Sequence, residues 1–357
     1  EHVIVTEIAD MHSPIKRTLM NAAVKHLKKM VPAFNIPGAH KLPAVLSAGA
    51  REKFTPVDIK LDDLAVLQYT GGTTGVAKGA MLTHANLVAN LTQVRPMLED
   101  QVEEGKEVVI APLPLYHIYS FTLNCGIMLE AGAHNVLIPN PRDIPGFVKE
   151  LQKQKFSAFI GLNTLFVALC NNEDFQDLDF SGLKLTASGG MALTSDTAKM
   201  WQRVTGCEIS EGYGMTETSP VVTFNPRSAI QIGTIGLPIP STVVKTIDDD
   251  GNETAVGEPG ELCVKGPQVM RGYWQRPDDT QKSFTDDGFL KTGDVALIQE
   301  DGYIRIVDRK KDMIIVSGFN VFPNEIEDVV TTHPKVVECA AVGIPDAKSG
   351  EAVKVYV

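Results

Sequence analysis

The sequence has few cysteines and a shortage of positive charge, and both shortages narrow what the protein can be. Its five cysteines show no Cys-x-x-Cys spacing, so we expect reduced, buried thiols in a cytoplasmic protein rather than a disulfide framework. The 33 lysines and arginines against 44 aspartates and glutamates leave a formal net charge of −11. This balance argues against a nucleic-acid partner, because bulk positive charge is what usually holds nucleic acid.

Long hydrophobic runs are also scarce. Residues 108–129 carry no charged side chain and are numerous enough to cross a bilayer. Pro112 and Pro114 interrupt this stretch, and several polar side chains follow them. We therefore predict a buried strand, a proline-bent loop and a helix here, and no membrane span.

The length and composition are typical of a soluble globular protein. The 357 residues suffice for about two domains of roughly 150 residues each. Hydrophobic residues make up 43% and charged residues 22%, so a core can form without disulfides. The chain begins at Glu1 without a methionine or a signal-like segment, and it stops within an alternating run at 354–357. We expect a piece of a longer protein, incomplete at both ends.

Residues 14–31 have the pattern of an amphipathic helix with an unusually basic side. Two interpretations stay open: a solvated face of a surface helix, which we favour, or contact with an anionic membrane surface. Residues 32–56 are rich in proline and glycine, which predicts a long irregular connection. The apolar positions are Ile15, Leu19, Ala23, Leu27 and Met30, and the basic ones are Lys16, Arg17, Lys25, Lys28 and Lys29.

Strand-like and helix-like segments alternate over residues 61–235. Such alternation predicts an α/β fold with a mainly parallel sheet layered with helices. The expected strands are 64–69, 107–111, 135–138, 158–161 and 183–187, and the expected helices are 83–98, 118–130, 143–155, 163–171 and 194–205.

The pattern changes after residue 235. Turn clusters separate short strands over 236–307, which predicts a small antiparallel β-subdomain. The charged residues 308–312 are typical of a linker into a small α+β domain. We therefore expect one large domain over 1–307, incomplete at its N-terminus, and a hinge with the start of a small C-terminal domain over 308–357.

The strongest motif is the glycine- and threonine-rich loop between Tyr69 and Gly79. Backbone N–H groups, hydroxyls and one mobile lysine aimed at a single point are suited to binding a polyphosphate. It is not a Walker A loop, because Ala77 and Gly79 stand where that motif needs glycine before the lysine and Ser or Thr after it. The alternative is a glycine-rich surface loop. The candidate phosphate ligands are Thr70, Gly71, Gly72, Thr73, Thr74, Gly75 and Lys78.

Three further motifs are weaker when taken alone. Tyr213 lies between Gly212 and Gly214, where its ring could stack on a base, and Thr216 and Glu217 follow where they could meet a phosphate and its Mg²⁺. Asp294 could accept hydrogen bonds from ribose hydroxyls. Taken alone, each of these motifs is more often just an ordinary turn.

Two other features complete the candidates. Asp308 could act as a pivot, and Arg309 could reach a phosphate or a sugar, although a solvated charged linker is as good an explanation. The eight histidines offer no pair with metal-ligand spacing. His117 lies in a run that could line an apolar pocket, and a core histidine is the alternative.

In this order, the motifs closely resemble the adenylate-forming superfamily of acyl-CoA synthetases, luciferases and peptide-synthetase adenylation domains. The resemblance covers nearly all of the chain from residue 61 onward, in at least six blocks. Within the superfamily the sequence looks most like bacterial long-chain fatty acid–CoA ligases. That likeness lies in the blocks 113–118, 140–146, 161–166 and 308–325.

The resemblance implies a two-step reaction of a fatty acid with ATP and then with coenzyme A. A carboxylate attacks the α-phosphate to give an acyl-adenylate, and coenzyme A then displaces AMP to form a thioester. The implied catalytic residues are Thr216 at the α-phosphate, Glu217 at Mg²⁺, His117 beside the acyl carboxylate and Lys78 at the outer phosphates.

The resemblance also assigns the rest of the nucleotide site. Thr73 would bind Mg²⁺ together with Glu217, and Thr73 and Thr74 would hold the β- and γ-phosphates. The remaining roles are adenine for Gly189, Gly190, Gly212 and Tyr213, ribose for Asp294 and Arg309, and the hinge for Asp308.

The sequence departs from the family at its C-terminal end. Family members carry a lysine in the small domain that contacts the carboxylate and the α-phosphate, and residues 1–357 stop before that block. We therefore expect weak adenylation from these residues alone. A related enzyme for aromatic, short-chain or amino acids and a non-catalytic nucleotide-binding remnant stay open, as do a homodimer and peripheral contact with the cytoplasmic face of the membrane.

Overall fold

The structure is a computed structural model that describes residues 2–70, 77–317, 319–331, 333, 335–336, 339–346 and 349–357. It divides into two compact units, Glu1–Ile59 and Lys60–Val357. The boundary that the sequence analysis predicts at residue 308 lies inside the second unit, and a separate small domain stays a prediction.

Strands run from one end of the described chain to the other. They are β1 (Ile4–Val5), β2 (His40–Lys41), β3 (Leu64–Thr70), β4 (Lys78–Thr83), β5 (Val108–Ala111), β6 (His134–Leu137), β7 (Ala158–Gly161), β8 (Leu185–Ser188), β9 (Ile209–Gly214), β10 (Val221–Phe224), β11 (Leu237–Pro238), β12 (Val243–Ile247), β13 (Gly260–Lys265), β14 (Leu290–Ile298), β15 (Ile304–Arg309), β16 (Ile314–Val316), β17 (Phe319–Val321), β18 (Ala340–Asp346) and β19 (Gly350–Tyr356).

The helices are short, and several continue into tighter or wider turns. The α-helices are α1 (Pro14–Ala22), α2 (Leu42–Gly49), α3 (His84–Val94), α4 (Ile118–Ser120), α5 (Ile144–Leu151), α6 (Asn163–Cys170), α7 (Glu173–Gln176), α8 (Ser195–Thr205), α9 (Pro277–Lys282) and α10 (Pro323–Thr331). The π-helical turns are Ala23–Leu27 and Phe121–Met128, and the 3₁₀ turns are Arg95–Leu98, Thr216–Thr218 and Arg227–Ala229.

The first unit contains the expected basic helix and one helix that the sequence analysis missed. Helix α1 and the π-helical turn after it cover the expected segment as far as Leu27. Strands β1 and β2 pair in parallel. The prediction of an irregular connection over 32–56 is wrong at α2, because Pro43 falls in its first turn, where a helix tolerates a proline that lacks an N–H.

The second unit is built on a seven-stranded sheet with the order β11-β10-β9-β8-β7-β5-β6. Strands β9, β8, β7, β5 and β6 pair in parallel, which confirms the expected mainly parallel sheet. The last two strands, β10 and β11, are antiparallel additions. Because parallel strands end at the same edge, the loops after β5, β7, β8 and β9 lie together.

Both faces of this sheet are covered by helices. On one face, Phe159 of β7 packs against Trp201 of α8 with ring centroids 5.2 Å apart, and Phe166 of α6 lies 4.7 Å from the same tryptophan. On the other face, Ile160 packs in a second cluster with Val94 and Leu123. Neighbouring residues of one strand thus face opposite cores, as the alternation of side chains in a strand requires.

The strand before the glycine-rich loop does not belong to the parallel sheet, which corrects one expectation. Strands β3 and β4 form an antiparallel pair in which Thr70 lies opposite Lys78. The helix expected over 83–98 begins at His84, within one residue of the prediction, because Thr83 is its N-cap. The Thr83 hydroxyl accepts the Asn86 N–H at 3.2 Å, and the Thr83 N–H donates to Asn86 Oδ1 at 2.9 Å.

Two smaller antiparallel sheets follow, and they confirm the expected antiparallel β-subdomain and the α+β character of the segment after it. One has the order β12-β13-β14-β15, and the other has the order β17-β16-β19-β18 with α10 in the same segment. The uncharged stretch 108–129 forms β5, a loop, α4 and a π-helical turn, as expected. Within the described residues, no helix has the length and apolar character needed to cross a bilayer.

We expect Trp201→Ala to destabilise the second unit by about 3–5 kcal/mol. The substitution removes the largest fully buried side chain, which packs against Phe159 and Phe166 on one face of the sheet. Urea unfolding followed by circular dichroism measures the loss. Val88→Ala is the control, since Val88 is 50% exposed and should change stability by less than about 0.5 kcal/mol. Equal unfolding midpoints for the two variants would contradict this account of the core.

Candidate active site

The glycine-rich loop connects two paired strands rather than a strand and a helix. Its expected phosphate ligands Gly71, Gly72, Thr73, Thr74 and Gly75 lie outside the described residues. Thr70 and Lys78 mark the two ends of the described hairpin, where they face each other across β3 and β4. The hairpin therefore fixes where the loop leaves and re-enters the structure.

Lys78 lies in a polar cluster with Asp279 of α9 and with Tyr273 of the segment that precedes this helix. Its Nζ is 2.7 Å from Asp279 Oδ1 and 5.2 Å from the centre of the Tyr273 ring. The hydrogen bond from Lys78 lowers the pKa of the Asp279 carboxyl. A cavity of about 410 Å³ beside the lysine is lined by Tyr69, Ala77, Lys78, Gly79, Trp274, Gln275 and Arg276.

Glu217 is buried in the 3₁₀ turn that follows β9, next to the half-buried Thr216. The Tyr273 hydroxyl donates to Glu217 Oε1 at 2.6 Å. Burial and the neighbouring carboxylate raise the pKa of Tyr273, so the phenol keeps its proton at neutral pH. Lys78 and Glu217 thus share Tyr273 as a common neighbour.

The expected base and ribose residues come together through a hydrogen bond that joins two sheets. The Tyr213 hydroxyl donates to Asp294 Oδ2 at 2.5 Å. Asp294 lies opposite Arg309 on β14 and β15, with Arg309 Nε 4.0 Å from Asp294 Oδ1. Burial raises the pKa of Asp294, although the Tyr213 hydrogen bond and Arg309 oppose that change.

Gly189 and Gly212 approach each other closely beside Tyr119. A Cβ on Gly189 would lie 3.3 Å from the Tyr119 ring and 3.4 Å from the Gly212 carbonyl oxygen. A Cβ on Gly212 would lie 2.9 Å from the Phe224 ring, so neither site has room for a side chain without movement. Gly190 has a φ of +83°, which favours glycine. Of the expected adenine-framing glycines, Gly189 and Gly212 are therefore crowded, whereas a Cβ on the exposed Gly190 would meet open space.

His117 is exposed and caps α4, where its Nδ1 accepts the Tyr119 N–H at 3.3 Å. The alternative of a core histidine is therefore wrong. Its loop is tied to β3, because Gln68 Nε2 donates to the Tyr116 carbonyl at 2.9 Å. Across the part of the chain that the structure describes, no hydrogen bond links His117 to Lys78 or Glu217.

Asp308 is buried and joins β15 to the first turn of α10. Its carboxylate accepts the Arg309 N–H at 2.7 Å and the Asn324 N–H at 3.0 Å. It is therefore not part of a freely solvated linker, whereas the Arg309 side chain is 58% exposed. This carboxylate fixes the direction in which the chain continues after the β-subdomain.

Glu211 lies beside the site, directly before Gly212, although its place in the sequence indicated no role. Glu211 is buried on β9 opposite Ser188, and its Oε1 accepts the Leu193 N–H at 3.0 Å. Burial raises its pKa to about 8. No strand was expected over residues 209–214, so no local sequence signal indicated that Glu211 would be buried there.

A magnesium ion would need ligands beyond the protein. Within the described ranges, no group of three or more His, Cys, Asp and Glu side chains could hold a metal. Mg²⁺ is often bound by one or two carboxylates together with phosphates and waters, so a single Glu217 fits a magnesium ion that a nucleotide brings with it. Its buried carboxylate supplies the hard oxygen ligand that such an ion prefers.

Two family models match the chain. The AMP-binding enzyme model covers residues 2–274, and the model of the AMP-binding enzyme C-terminal domain covers residues 325–357. The chain therefore belongs to the AMP-binding enzyme family. This confirms the resemblance to adenylate-forming enzymes, while the roles of the individual site residues stay predictions.

The chain is similar to characterised members along its whole length. It is 55% identical to a long-chain-fatty-acid–CoA ligase of Salmonella typhimurium over 100% of the chain and 64% of the relative. A feruloyl-CoA synthase of Amycolatopsis is 33% identical over 97% of the chain and 68% of the relative. The crystal structure of ATP-bound MatB from Rhodopseudomonas palustris matches with a TM-score of 0.80 and 33% identity, covering 99% of this chain and 68% of that one. The chain thus spans about 64% of the length of the ligase it matches.

We expect the buried Glu211 to make stability fall as pH rises. Its pKa is about 8 in the folded chain against an ordinary value of 4.5, so the folded state binds this proton more tightly between those values. The contribution is complete below about pH 4.5 and declines toward pH 8, by up to about 1.4 kcal/mol per pH unit.

Urea unfolding of the wild type and Glu211→Gln at pH 5, 6, 7 and 8 measures this contribution. The difference in unfolding free energy between the two proteins should shrink or reverse as the pH rises. Glu208→Gln, on the exposed end of the same segment, should keep the wild-type slope. Identical slopes for wild type and Glu211→Gln would show that Glu211 does not titrate in this range.

Proposed function

We propose that this chain is part of an AMP-forming long-chain fatty acid–CoA ligase that works in the cytoplasm. The observation that carries the proposal is the level of identity. The chain is 55% identical to a long-chain-fatty-acid–CoA ligase but only 33% identical to a feruloyl-CoA synthase of the same family. The substrates would be a fatty acid, ATP with Mg²⁺, and coenzyme A.

The first step joins the fatty acid to AMP. A carboxylate oxygen forms a bond to the α-phosphorus of ATP, and the bond from that phosphorus to the bridging oxygen of pyrophosphate breaks. A carboxylate is a poor nucleophile, so catalysis comes from positioning and from cancelling charge on the phosphates. Lys78 and the loop residues Thr73 and Thr74 hold the outer phosphates, and Thr216 steadies the α-phosphate.

Two groups of residues place the reacting atoms. Magnesium supplies positive charge at the phosphates, and Glu217 with Thr73 would hold it. His117 lies on the loop after β5, at the same edge of the sheet, where it can face the acyl carboxylate. Gly189, Gly190, Gly212 and Tyr213 frame the adenine.

The ribose end of the site depends on Asp294. Its Oδ2 already accepts the Tyr213 hydroxyl, so its other oxygen is the one available to a ribose hydroxyl. Arg309 Nε lies 4.0 Å from that second oxygen, and its positive charge opposes the rise that burial causes in the pKa of Asp294. The Tyr213 hydrogen bond therefore orients Asp294 while the tyrosine ring faces the base.

The second step exchanges AMP for coenzyme A. The thiol sulfur forms a bond to the acyl carbon, the bond from that carbon to the AMP oxygen breaks, and the thiol proton leaves to solvent. We propose that the residues after Asp308 turn about it between the steps. Such a rotation must change the two hydrogen bonds from Arg309 and Asn324 that the Asp308 carboxylate accepts.

Two alternatives make different predictions. A related enzyme would activate an aromatic, short-chain or amino acid, because specificity in this family lies in the shape of the acyl pocket. A nucleotide-binding remnant would retain the contacts of Tyr213 and Asp294 but would not distinguish acyl groups. Acyl specificity therefore separates all three.

We expect the affinity of this chain for non-hydrolysable acyl-adenylate analogues to rise with acyl length from acetyl through C8 to C16. Each buried methylene contributes about 0.8 kcal/mol, so even a few of them raise affinity more than tenfold. Calorimetry with acetyl, benzoyl, aminoacyl, C8, C12 and C16 analogues measures the series. Tightest binding of benzoyl or aminoacyl would establish a related enzyme, and equal binding of all would favour the remnant.

Asp294→Asn is the matched variant for this series. It keeps the size of the side chain but weakens its acceptor strength toward ribose, so it should weaken all analogues by a similar factor of about 10. The dependence on acyl length should stay as in the wild type. A variant that lost only the long-chain analogues would place Asp294 at the acyl group instead.

We propose peripheral contact with the cytoplasmic face of the membrane through the basic helix of the first unit. Over residues 14–51 the sequence has seven lysines and arginines and no aspartate or glutamate. Ile15, Leu19 and Leu27 are 78%, 67% and 82% exposed, whereas Asn21 is half-buried and accepts the Ala9 N–H at 3.0 Å. The apolar side of the helix thus faces solvent between cations, which suits an anionic lipid surface.

We expect the chain to sediment with vesicles containing 30% phosphatidylglycerol and not with pure phosphatidylcholine. Leu19→Ser with Leu27→Ser should weaken this binding at least about tenfold, because each leucine loses burial in the lipid. Leu46→Ser on α2, which is 48% exposed, is the control and should bind as the wild type does. Sedimentation that is absent, or unchanged in the double variant, would refute this contact.

A homodimer stays a prediction that analytical ultracentrifugation tests.

A further inference from the structure

The segment from Tyr273 to Thr280 contacts both charged groups of the candidate phosphate site. Its backbone is fixed to β4, because the Trp274 N–H donates to the Gly79 carbonyl at 2.8 Å and the Met81 N–H donates to the Gly272 carbonyl at 2.8 Å. The Tyr273 N–H also donates to the Thr280 hydroxyl at 2.9 Å, which joins the segment to α9. The segment is therefore held at both of its ends.

Asp279 is the acid that pairs with Lys78. The two side chains are 29% and 33% exposed, and the Lys78 Nζ lies 2.7 Å from Asp279 Oδ1. A phosphate oxygen that binds Lys78 must compete with this carboxylate for the same ammonium group. A triphosphate carries more negative charge than one carboxylate, so it can displace Asp279 from an ion pair that is partly exposed to water.

Tyr273 contacts both partners of the site but competes with neither. Its hydroxyl donates to Glu217 Oε1 at 2.6 Å, and its ring lies 5.2 Å below the Lys78 ammonium. A carboxylate that accepts one hydrogen bond from a fixed phenol keeps its other oxygen in a defined direction. The ring faces the ammonium without neutralising it, so the lysine stays free to exchange its anionic partner.

We propose that Tyr273 is a positioning residue for Lys78 and Glu217, and that Asp279 is a built-in counter-ion which the outer phosphates of ATP displace from Lys78. This inference rests on the proposed function, since it assumes that a triphosphate binds here. Helix α9 thereby gains a role in nucleotide recognition. It carries Asp279, which pairs with Lys78 until a phosphate oxygen of ATP replaces the carboxylate.

The first test replaces the counter-ion. Asp279→Asn should raise the affinity for Mg²⁺-ATP about two- to fivefold, because the competing charge is gone, and should leave the affinity for AMP unchanged. Asp278→Asn is the matched control, since Asp278 is an exposed acid in the same turn of α9. ATP affinity that is unchanged or reduced in Asp279→Asn, relative to Asp278→Asn, would overturn the role of Asp279.

The second test removes one oxygen atom from Tyr273. Tyr273→Phe keeps the ring below Lys78 but loses the hydrogen bond to Glu217, so Mg²⁺-ATP should bind about tenfold more weakly. The Mg²⁺ concentration needed for half-maximal ATP binding should rise, while AMP binding stays as in the wild type. Equal losses for ATP and AMP would indicate a merely structural role and would overturn the positioning role.

Binding of acyl-adenylate analogues and of ATP together distinguishes an error in this inference from an error in the proposed function. The acyl-adenylate analogues carry neither β- nor γ-phosphate, so their binding to the wild type does not depend on Asp279. A wild-type chain that binds neither analogue nor ATP would reject the proposed function. A chain that binds both, with ATP affinities unaffected by Asp279→Asn and Tyr273→Phe, would reject only this inference.

Discussion

The parallel pairing of β5, β7, β8 and β9 is the constraint on which the site depends. Phe159 and Ile160 are neighbours on β7, yet each is fully buried on a different face of the sheet. Strands that are buried on both faces have little room for charge along their length, because an unpaired buried charge is very costly. Polar groups therefore concentrate where the strands end. Parallel direction brings those ends to one edge, and Gly189, Tyr213 and Glu217 all follow from that arrangement.

A second constraint brings the lysine of the loop to this edge. The β3–β4 hairpin is not part of the parallel sheet. Backbone hydrogen bonds to a distant segment hold it, together with the burial of Ala80 and Leu82 of β4. Gly79 and Met81 bond to residues 272–274, and the Glu217 carbonyl accepts the Met270 N–H at 2.8 Å. One short segment thus pairs with the hairpin and with the turn that carries Glu217. Lys78 and Asp279 meet across 201 positions of sequence for this backbone reason, and their charges stabilise a contact that the strands have already made.

Local signals predicted most of the fold, and distant contacts explain what they missed. Alternating segments predicted β5, β6, β7 and β8 and the helices between them within a few residues, because buried strands and amphipathic helices have distinct periods. Strand β9, which carries Glu211 and Tyr213, was not predicted. The helix expected over 83–98 begins at His84, within one residue of the prediction, but strand β4 between the loop and this helix was missed. The pairing of Tyr213 with Asp294 spans 81 positions and joins two sheets, so no local pattern contains it. Tyr273 was missed for the same reason, because it lies 56 positions from Glu217, whose carboxylate accepts its hydroxyl.

The carboxylates of the site share one feature, a hydrogen bond from a neighbouring side chain, and this feature affects how an anionic substrate would bind. The chain has a net charge of −11, and the substrates we propose are all anions. Each carboxylate of the site accepts a hydrogen bond: Asp294 from Tyr213, Glu217 from Tyr273 and Asp279 from Lys78. A phenol donates without adding a positive charge, so the first two hydrogen bonds fix the direction of a carboxylate and place no cation beside it. A triphosphate that approached without a cation would be repelled by Glu217, whereas one that carried Mg²⁺ would find a carboxylate already oriented toward the ion. If the proposed nucleotide binds here, the tyrosines would therefore favour its binding together with its metal, which a lysine or arginine in their places would not.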